Sequence, residues 1–541
     1  MFRENTHHKQ DSLFNSTSLM SEGIKKKLMK SWAPVFYEHV FRLIDEKPFA
    51  ALYSDTGRPN FPVNILLSLE YIKHLQNYTD DELMDNFYFN YLVNYAVGIR
   101  TLGEINLAER TLYEFRSRVY QYTREHPGED DLIFGQFLNL VDEFAKTAGI
   151  SMSQQRMDST MFMSNIKKAG RLSLAYDVLV KSVKAIPEGV RPANLQEALT
   201  SEFKTDTLYR VKANETESKL ETVLNLCREA QELLKSLHSG KATDELRILN
   251  RFLAEQAKYN GDTNRLVARD KKEISSGSLQ SAHDEDATFR CKGGKSQSGY
   301  VANIAETCSK DNPFQLITDY QVAANNTSDV RLIKERLPKL KNNTGCDKLY
   351  VDGGYYSPET VESQKELGID INFTDMTGTD PKTKMAVSEF EIDVHTNVIK
   401  SCPKGIRPIH AGAKGGQTVA HFAIEACENC ELRDQCFARQ QKKNYVVRIS
   451  HKAVAASRQR KTIADNHTLN TSMRAGIEGT NSALKRRHGL DRLRVRGLAK
   501  SQVVVGLKVI AQNFRRFCRY VLEAAKSLIE PYSGVTMPSM A

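Results

Sequence analysis

Three carboxylates and four thiols are set apart by the residues around them. Asp158 lies in a run where Met157, Ser159, Met161 and Met163 alternate with Asp158, Thr160 and Phe162, the spacing of a β-strand. A carboxylate in such a strand is costly to bury unless it is paired or holds a cation. Asp352 closes the short apolar strand Lys348-Leu-Tyr-Val351 and is followed by Gly353-Gly-Tyr-Tyr356. The carboxyl end of a strand is where open α/β sheets place ligands, and a tight turn is the competing reading. Glu478 belongs to the segment 470–489, which as a helix puts Arg474, Glu478, Asn481 and Lys485 on one face. His488-Gly489 supplies its stop. Such a face is ordinarily solvated; the two upstream aspartates make it a candidate site.

Oxygen ligands that leave positions open suit Mg²⁺ or Mn²⁺, which keep waters and bind substrate phosphates. Two such ions about 4 Å apart activate an attacking oxygen and stabilise the leaving one in an in-line phosphoryl displacement. Cations beside them neutralise a phosphodiester, and Arg474 and Lys485 are of the right type. The thiols are Cys402 of Cys402-Pro-Lys-Gly405, Cys427 and Cys430 of Cys427-Glu-Asn-Cys430, and Cys436. Four thiolates is the number a closed structural Zn²⁺ site uses, and four unligated thiols packed as small residues is the rival reading. His421 is either a spare ligand or a surface histidine.

The acidic trio resembles that of the DDE transposases of bacterial insertion sequences. Asp158-Ser-Thr160 looks like the family's first-aspartate strand and Asp352-Gly-Gly-Tyr355 like its second-aspartate motif. Arg474, Glu478 and Lys485 match the last three letters of the Y-R-E-K signature, with Thr471 where the tyrosine is expected. Gly57-Arg-Pro59 and the helices after it resemble the N-terminal domain of the InsH-like group, and the four cysteines resemble an insertion found in some members. The resemblance implies an α/β catalytic domain, a ribonuclease-H-like mixed sheet with flanking helices, over 145–541. A helical insertion at 165–265 and a Cys-rich insertion at 375–450 would interrupt it, and an all-α domain over 1–140 would precede it. It also implies a bacterial, cytoplasmic, nucleoid-associated enzyme that binds terminal inverted repeats, cleaves a strand with Mg²⁺-activated water and joins the 3′-hydroxyl to target DNA. Asp158, Asp352 and Glu478 would hold the metal. Arg474, Asn481, Lys485, Arg486 and Arg487 would contact double-stranded DNA, and a homodimer would pair the two ends. A nuclease that cleaves without joining, and a non-catalytic DNA-binding descendant, are the alternatives.

The elements that must position these residues are legible in outline. The 541 residues allow about three domains. Hydrophobic residues at 40% and charged residues at 26% describe a globular chain rather than a disordered one. The net charge of +10 is local, concentrated in the basic stretch 448–500, which suits a polyanion or a solubilising surface. No apolar run approaches the roughly 18 residues of a membrane span, and no signal peptide or membrane partner is expected. Residues 1–22 read as a loose arm. Helices are expected over 24–44, after Pro62, after the capping box Thr79-Asp-Asp-Glu82 and after a second such pattern, Thr111-Leu-Tyr-Glu114. That module fits a helix-turn-helix DNA reader or a dimerisation bundle equally well. Strands are expected near 287–291, 300–304, 315–319, 348–351 and 369–373, with helices at 330–340 and after Ser357. Leu507, Ile510, Phe514, Phe517 and Val521 predict a long amphipathic helix, with a frayed end after it.

Overall fold

The computed structural model describes residues 1–9, 15–127, 131–237, 243–292, 294–376 and 384–529. The expected frayed C-terminal end lies outside the described residues. The chain begins with helices α1 (Glu22–Met29), α2 (Trp32–His39), α3 (Val63–Gln76), α4 (Asp80–Phe89), α5 (Tyr91–Ala96), α6 (Glu109–Glu125) and α7 (Leu132–Ala148), which lead into β1 (Gln154–Phe162). Helices α8 (Arg171–Ala185), α9 (Ala193–Glu197), α10 (Ser201–Leu208), α11 (Thr216–Leu237) and α12 (Asp244–Gln256) follow, with a hairpin of β2 (Ala257–Asn260) and β3 (Arg265–Ala268). Next come β4 (Thr288–Lys292), β5 (Lys295–Thr307), β6 (Ile317–Ala324), α13 (Asp329–Thr344), β7 (Lys348–Val351), α14 (Pro358–Leu367) and β8 (Asp370–Phe373). The chain then forms β9 (Glu391–Ile392), β10 (Ile399–Ser401), β11 (His410–Lys414), β12 (Gln417–Phe422), α15 (Ile424–Glu428), β13 (Arg439–Gln440) and β14 (Tyr445–Ser450). It ends in two long helices, α16 (His451–Arg486) and α17 (Leu498–Ile529). The chain divides into two compact units, one of residues 1–152, 158–328 and 478–541, the other of 153–157 and 329–477.

In the first unit, one core joins the N-terminal helices to the sheet and to α17. α17 is its spine: Val505, Val509 and Phe517 are fully buried, Phe514 meets Phe36 edge-on at 5.2 Å, and Phe517 stacks on Phe144 at 4.3 Å. Each such buried side chain contributes roughly 1.5–3 kcal/mol. Asn513 ties the helix to β6 by accepting from Ile317 N at 2.9 Å and donating to Ile317 O at 2.7 Å. β5 pairs antiparallel with β4 and with β6, and it also neighbours β1. Helices α8, α11 and α12 enclose a separate core, so the expected helical insertion buries its own apolar stripes.

The N-terminal helices follow their local signals with two exceptions. Thr79 and Glu82 make both bonds of the expected capping box, Glu82 N to Thr79 Oγ1 at 3.1 Å and Thr79 N to Glu82 Oε2 at 2.7 Å. Thr111-Leu-Tyr-Glu114 caps nothing: α6 already starts at Glu109, and Glu114 pairs with Arg110 one turn back at 2.7 Å. Pro62 opens α3, which is buried on nearly every side rather than along one stripe. The first residues are tied down as well, with Arg3 N donating to Asn60 Oδ1 at 2.6 Å and Asn5 N to Glu46 Oε1 at 2.9 Å.

In the second unit, the first residues of β1 pair parallel with β7, Gln154 opposite Lys348, and β7 pairs parallel with β8. Within the six-stranded sheet, β4, β5 and β6 therefore pair antiparallel and β1, β7 and β8 pair parallel, and β1 has residues in both units. The Cys-bearing stretch forms an antiparallel sheet of order β11-β12-β14-β13 over a small core of Phe390, Phe422, Tyr445 and Val447. α16 runs for 36 residues, beginning about twenty residues before the predicted helix.

Gly299, where β5 passes from pairing with β4 to pairing with β6, has φ +142°, and a Cβ there would lie 2.3 Å from the carbonyl oxygen of Phe162. Neither strand can yield without losing the neighbour. Gly299→Ala is expected to destabilise the fold by about 2–3 kcal/mol, read as a lowered denaturation midpoint at unchanged m-value.

Candidate active site and cysteine cluster

Asp158 sits in the first unit on β1 and is only 8% exposed. Its Oδ1 accepts from Ser159 N at 2.9 Å, and its Oδ2 accepts from Asn481 Nδ2 at 3.3 Å. Asn481 is itself buried, so its observed partner is the carboxylate rather than solvent. Glu478 stands three residues earlier on α16, exposed, and shares the face that touches Asp158. The buried Oδ1 of Asn481 has no hydrogen-bond partner among the described residues. The Asp158 carboxylate, the unpartnered amide oxygen of Asn481 and the exposed Glu478 one turn earlier on the helix are all oxygen donors, the type that Mg²⁺ or Mn²⁺ selects.

A buried charge network holds this end of α16. Glu306 on β5 is fully buried, and Arg516 on α17 reaches its Oε2 at 3.0 Å. Thr480, two residues after Glu478, donates to the same oxygen at 2.6 Å and accepts from Arg516 Nη2 at 2.5 Å. Sequence reasoning missed this network, since nothing in the spacing of Glu306, Thr480 and Arg516 links them. Lys485 pairs with Asp491 at 3.8 Å, and Arg486 and Arg487 lie at the end of α16 and just past it, Arg487 exposed.

The second unit holds Asp352 directly after β7. Its Oδ1 accepts from Gly354 N at 2.8 Å, so it caps the 3₁₀ turn Gly353–Tyr355 while remaining partly exposed. A Cβ on Gly354 would come within 3.0 Å of Asp352 Oδ1 and 3.1 Å of Asp329 Oδ2. The two carboxylates therefore flank one glycine, with those oxygens no more than about 6 Å apart. Asp329, buried at the start of α13, is an acid that sequence reasoning did not single out. Arg474 lines a cleft of about 570 Å³ with Arg460, His467, Asp375 and Thr471, the residue standing where the family signature has tyrosine. On β1, Arg156 donates to Met473 O of α16 at 3.1 Å, and its guanidinium fills the place where a side chain on Gly476 would be.

Cys402, Cys427, Cys430 and Cys436 line one cavity of about 30 Å³, room for a single ion or water. Local turns bring them there. Gly405 N donates to Cys402 O at 2.8 Å with φ +76°, Cys430 N to Cys427 O at 3.4 Å, and Cys436 N to Arg433 O at 3.1 Å. The Cys427 thiol is pushed up to about 11, first by burial and then by repulsion from the other three sulfurs. Burial likewise raises Cys436. That mutual repulsion is what a bound cation would reverse, and the donor set is of the type structural Zn²⁺ takes. His421 is held by Asn444 at 3.0 Å. Among the described residues, no group of three or more His, Cys, Asp or Glu side chains already stands at metal-holding geometry. No helix among them is long and apolar enough to cross a membrane.

The cysteine cavity yields a direct measurement. Protein isolated without chelator is expected to carry about one Zn²⁺ per chain, and Cys430→Ser to lose it. Because ligating thiols must deprotonate, zinc retention should fall as pH is lowered. Equal metal content in wild type and Cys430→Ser would return the four cysteines to ordinary packing.

Comparison with protein-family models places two matches on the chain. Residues 26–118 match a Transposase domain (DUF772), and residues 401–518 match a Transposase DDE domain. The second interval runs from just before the first of the four cysteines through Arg474, Glu478, Asn481 and Lys485 into α17. No curated protein and no solved structure matches the chain. The chain thus carries a match to a transposase domain on its N-terminal side and to a transposase DDE domain on its C-terminal side, a pairing that indicates a DDE transposase of the insertion-sequence type.

Proposed function

We propose that this chain is a DDE transposase that binds the ends of its element, cleaves DNA with water activated by Mg²⁺ or Mn²⁺, and joins the freed 3′-hydroxyl to target DNA. The observation that carries the reading is the hydrogen bond from Asn481 to Asp158, which sets the α16 face bearing Glu478 against the strand bearing the first aspartate. The proposed catalytic fold is ribonuclease-H-like. The antiparallel pairing of β5 with β6 in the first unit, and the parallel pairings of β1 with β7 and of β7 with β8 in the second, support it.

In this reading Asp158, Asp352 and Glu478 are the metal ligands. When bound, the cations supply an activated oxygen nucleophile and neutralise the leaving oxygen. The chain's own residues prepare that site. Asn481 fixes the Asp158 carboxylate, the Glu306–Arg516–Thr480 network fixes the helix, and Asp352 is held at a strand end by its own turn. Arg474, Lys485, Arg486 and Arg487 would lie along the DNA backbone as phosphate partners. Two ends must be cleaved in one event, so a homodimer is the proposed working form.

A labelled duplex carrying the element's terminal repeat, incubated with full-length protein and Mg²⁺, should give strand-cleaved products ending in 3′-hydroxyl and products joined to target DNA. Asp158→Asn, Asp352→Asn and Glu478→Gln should each lower the rate by about 10³-fold or more while leaving duplex binding in place. Cleavage without joined products would assign the chain to the nucleases. Activity that survives all three substitutions would remove the acids from the mechanism.

A further inference from the structure

A second polar cleft, of about 550 Å³, lies within the first unit, among α3, α6, the segment 489–496 and α17. Its lining is dominated by cations. Lys73 and Arg116 are neutralised in place, Lys73 by Asp80 at 2.5 Å and Arg116 by Glu70 and Asp80 at 2.7 Å each. Burial works to raise Asp80, but the hydrogen bonds from Arg116 and Lys73 outweigh it and hold its carboxyl down at about 2. Both lining carboxylates are therefore already matched. Among the described residues, the rim arginines donate to neutral oxygens, Arg492 to Ile166 O at 3.0 Å, Arg494 to Tyr78 O at 3.5 Å and Arg496 to Asn165 O at 2.8 Å. The Glu82 carboxyl is lowered chiefly by its hydrogen bonds with Thr79, and Arg494 lies near enough to add slightly to that lowering. Lys500 lies over the Tyr120 ring at 5.7 Å.

Lys508 forms the floor. It is 5% exposed, and its ammonium donates to His488 O. An ammonium has three donors, and a buried one beside other cations is unfavourable unless an anion completes it. Neighbouring groups register that field. Lys508 is pushed down to about 8 by burial, then by Arg494 and Lys73. His74 is driven well below its ordinary value by burial, then by Lys508, Lys73 and Arg116.

The rim is built on rigid backbone. Met163 N donates to Asp491 O at 3.0 Å, Leu493 N to Met163 O at 2.8 Å, and Asn165 N to Val495 O at 2.8 Å. This pins 491–495 as an extended segment alongside the end of β1. Leu493 is buried in the core, and Arg492, Arg494 and Arg496 alternate with it along the opposite, solvent-facing side. At about 3.3 Å per residue, the row from Arg492 to Arg496 spans roughly 13 Å.

We propose that this cleft, with Lys508 at its floor and Arg492, Arg494 and Arg496 along its rim, grips the sugar–phosphate backbone of duplex DNA away from the acidic residues. The length of the rim favours a polyanion over a single phosphate ion, because a lone phosphate would engage the floor and leave two of the three arginines unmatched by any anion. The proposal rests on DNA being the substrate, and it assigns part of the holding of DNA to a surface made jointly by the N-terminal helices and the segment after α16.

The test is equilibrium binding of full-length protein to a labelled duplex over a series of salt concentrations, with chelator present so that the acids hold no cation. The triple variant R492A/R494A/R496A should bind roughly 10-fold or more weakly and reduce the salt slope by about 2–3, one unit for each phosphate no longer neutralised. Lys508→Met should reduce the slope by about 1. If Lys508→Met fails to fold, the rim arginines alone decide. Wild-type affinity and slope in the triple variant would overturn the proposal while leaving DNA as the substrate. Absence of duplex binding by the wild type would instead overturn the reading on which it rests. Inorganic phosphate raising the thermal midpoint of the wild type, with duplex binding by the triple variant unchanged, would make the cleft a small-anion site and also overturn it.

Discussion

The arrangement depends on one buried ion pair. Glu306 is fully enclosed, and a carboxylate taken out of water costs several kcal/mol unless its oxygens are matched. Arg516 supplies the countercharge, with Thr480 donating to the same oxygen. Arg516 also donates to Gln315 O at 2.9 Å, so one guanidinium reaches β5, the chain entering β6 and α16 at once. Losing either partner would strand a buried charge, which costs about 3–5 kcal/mol. A weaker restraint would not hold an exposed, polar helix end against a sheet. α17 makes the pair possible: its aromatic stripe is anchored in the N-terminal helices, and Arg516 projects from a helix that has no freedom to shift.

That restraint gives Glu478 its position. Thr480 is drawn to Glu306, Asn481 turns to Asp158, and Glu478, one turn before Asn481, is left facing solvent. The carboxylates thus have unequal surroundings: Asp158 is nearly buried and hydrogen-bonded, whereas Glu478 is open. The proposed phosphoryl-transfer chemistry would use that asymmetry, with rigid ligands on one side and access for a large polyanion on the other. In the second unit the same strand and helix meet again through Arg156 and Met473, where the absence of a side chain at Gly476 lets the guanidinium lie on the helix backbone.

Local signals carried much of this into the sequence. The alternation around Asp158, the Thr79–Glu82 box, the Ser357 cap and the apolar run ahead of Asp352 each involve residues a few positions apart, and each matches an element of the structure. What stayed hidden is non-local or has little apolar content. The first two-thirds of α16 shows few core positions, chiefly Val454, Ile463 and Met473, too sparse for a helical stripe to stand out among its charges. The sheet around the cysteines has short strands rich in small and polar residues, so its alternation is faint. Asp329 approaches Asp352 across Gly354, where a side chain would meet both carboxylates. The arginines of 492–496 read as a basic run, and the bridge to Met163 that orders them into a row cannot be inferred from composition. Thr111–Glu114 shows the opposite error, a cap pattern that lost to a helix begun just before it.

The central claim is that the Glu306–Arg516–Thr480 network, contributing no ligand itself, presents Glu478 and Asn481 to Asp158 as part of a divalent-cation site. Mn²⁺ binding to the full-length protein, followed by its paramagnetic resonance signal, tests it most directly. Arg516→Met, shown by circular dichroism to remain folded, should weaken Mn²⁺ binding by about 10-fold or more, as removal of a supporting group does, and Asp158→Asn and Glu478→Gln should weaken it further. Mn²⁺ affinity identical to wild type in Asp158→Asn and Glu478→Gln would contradict the account outright.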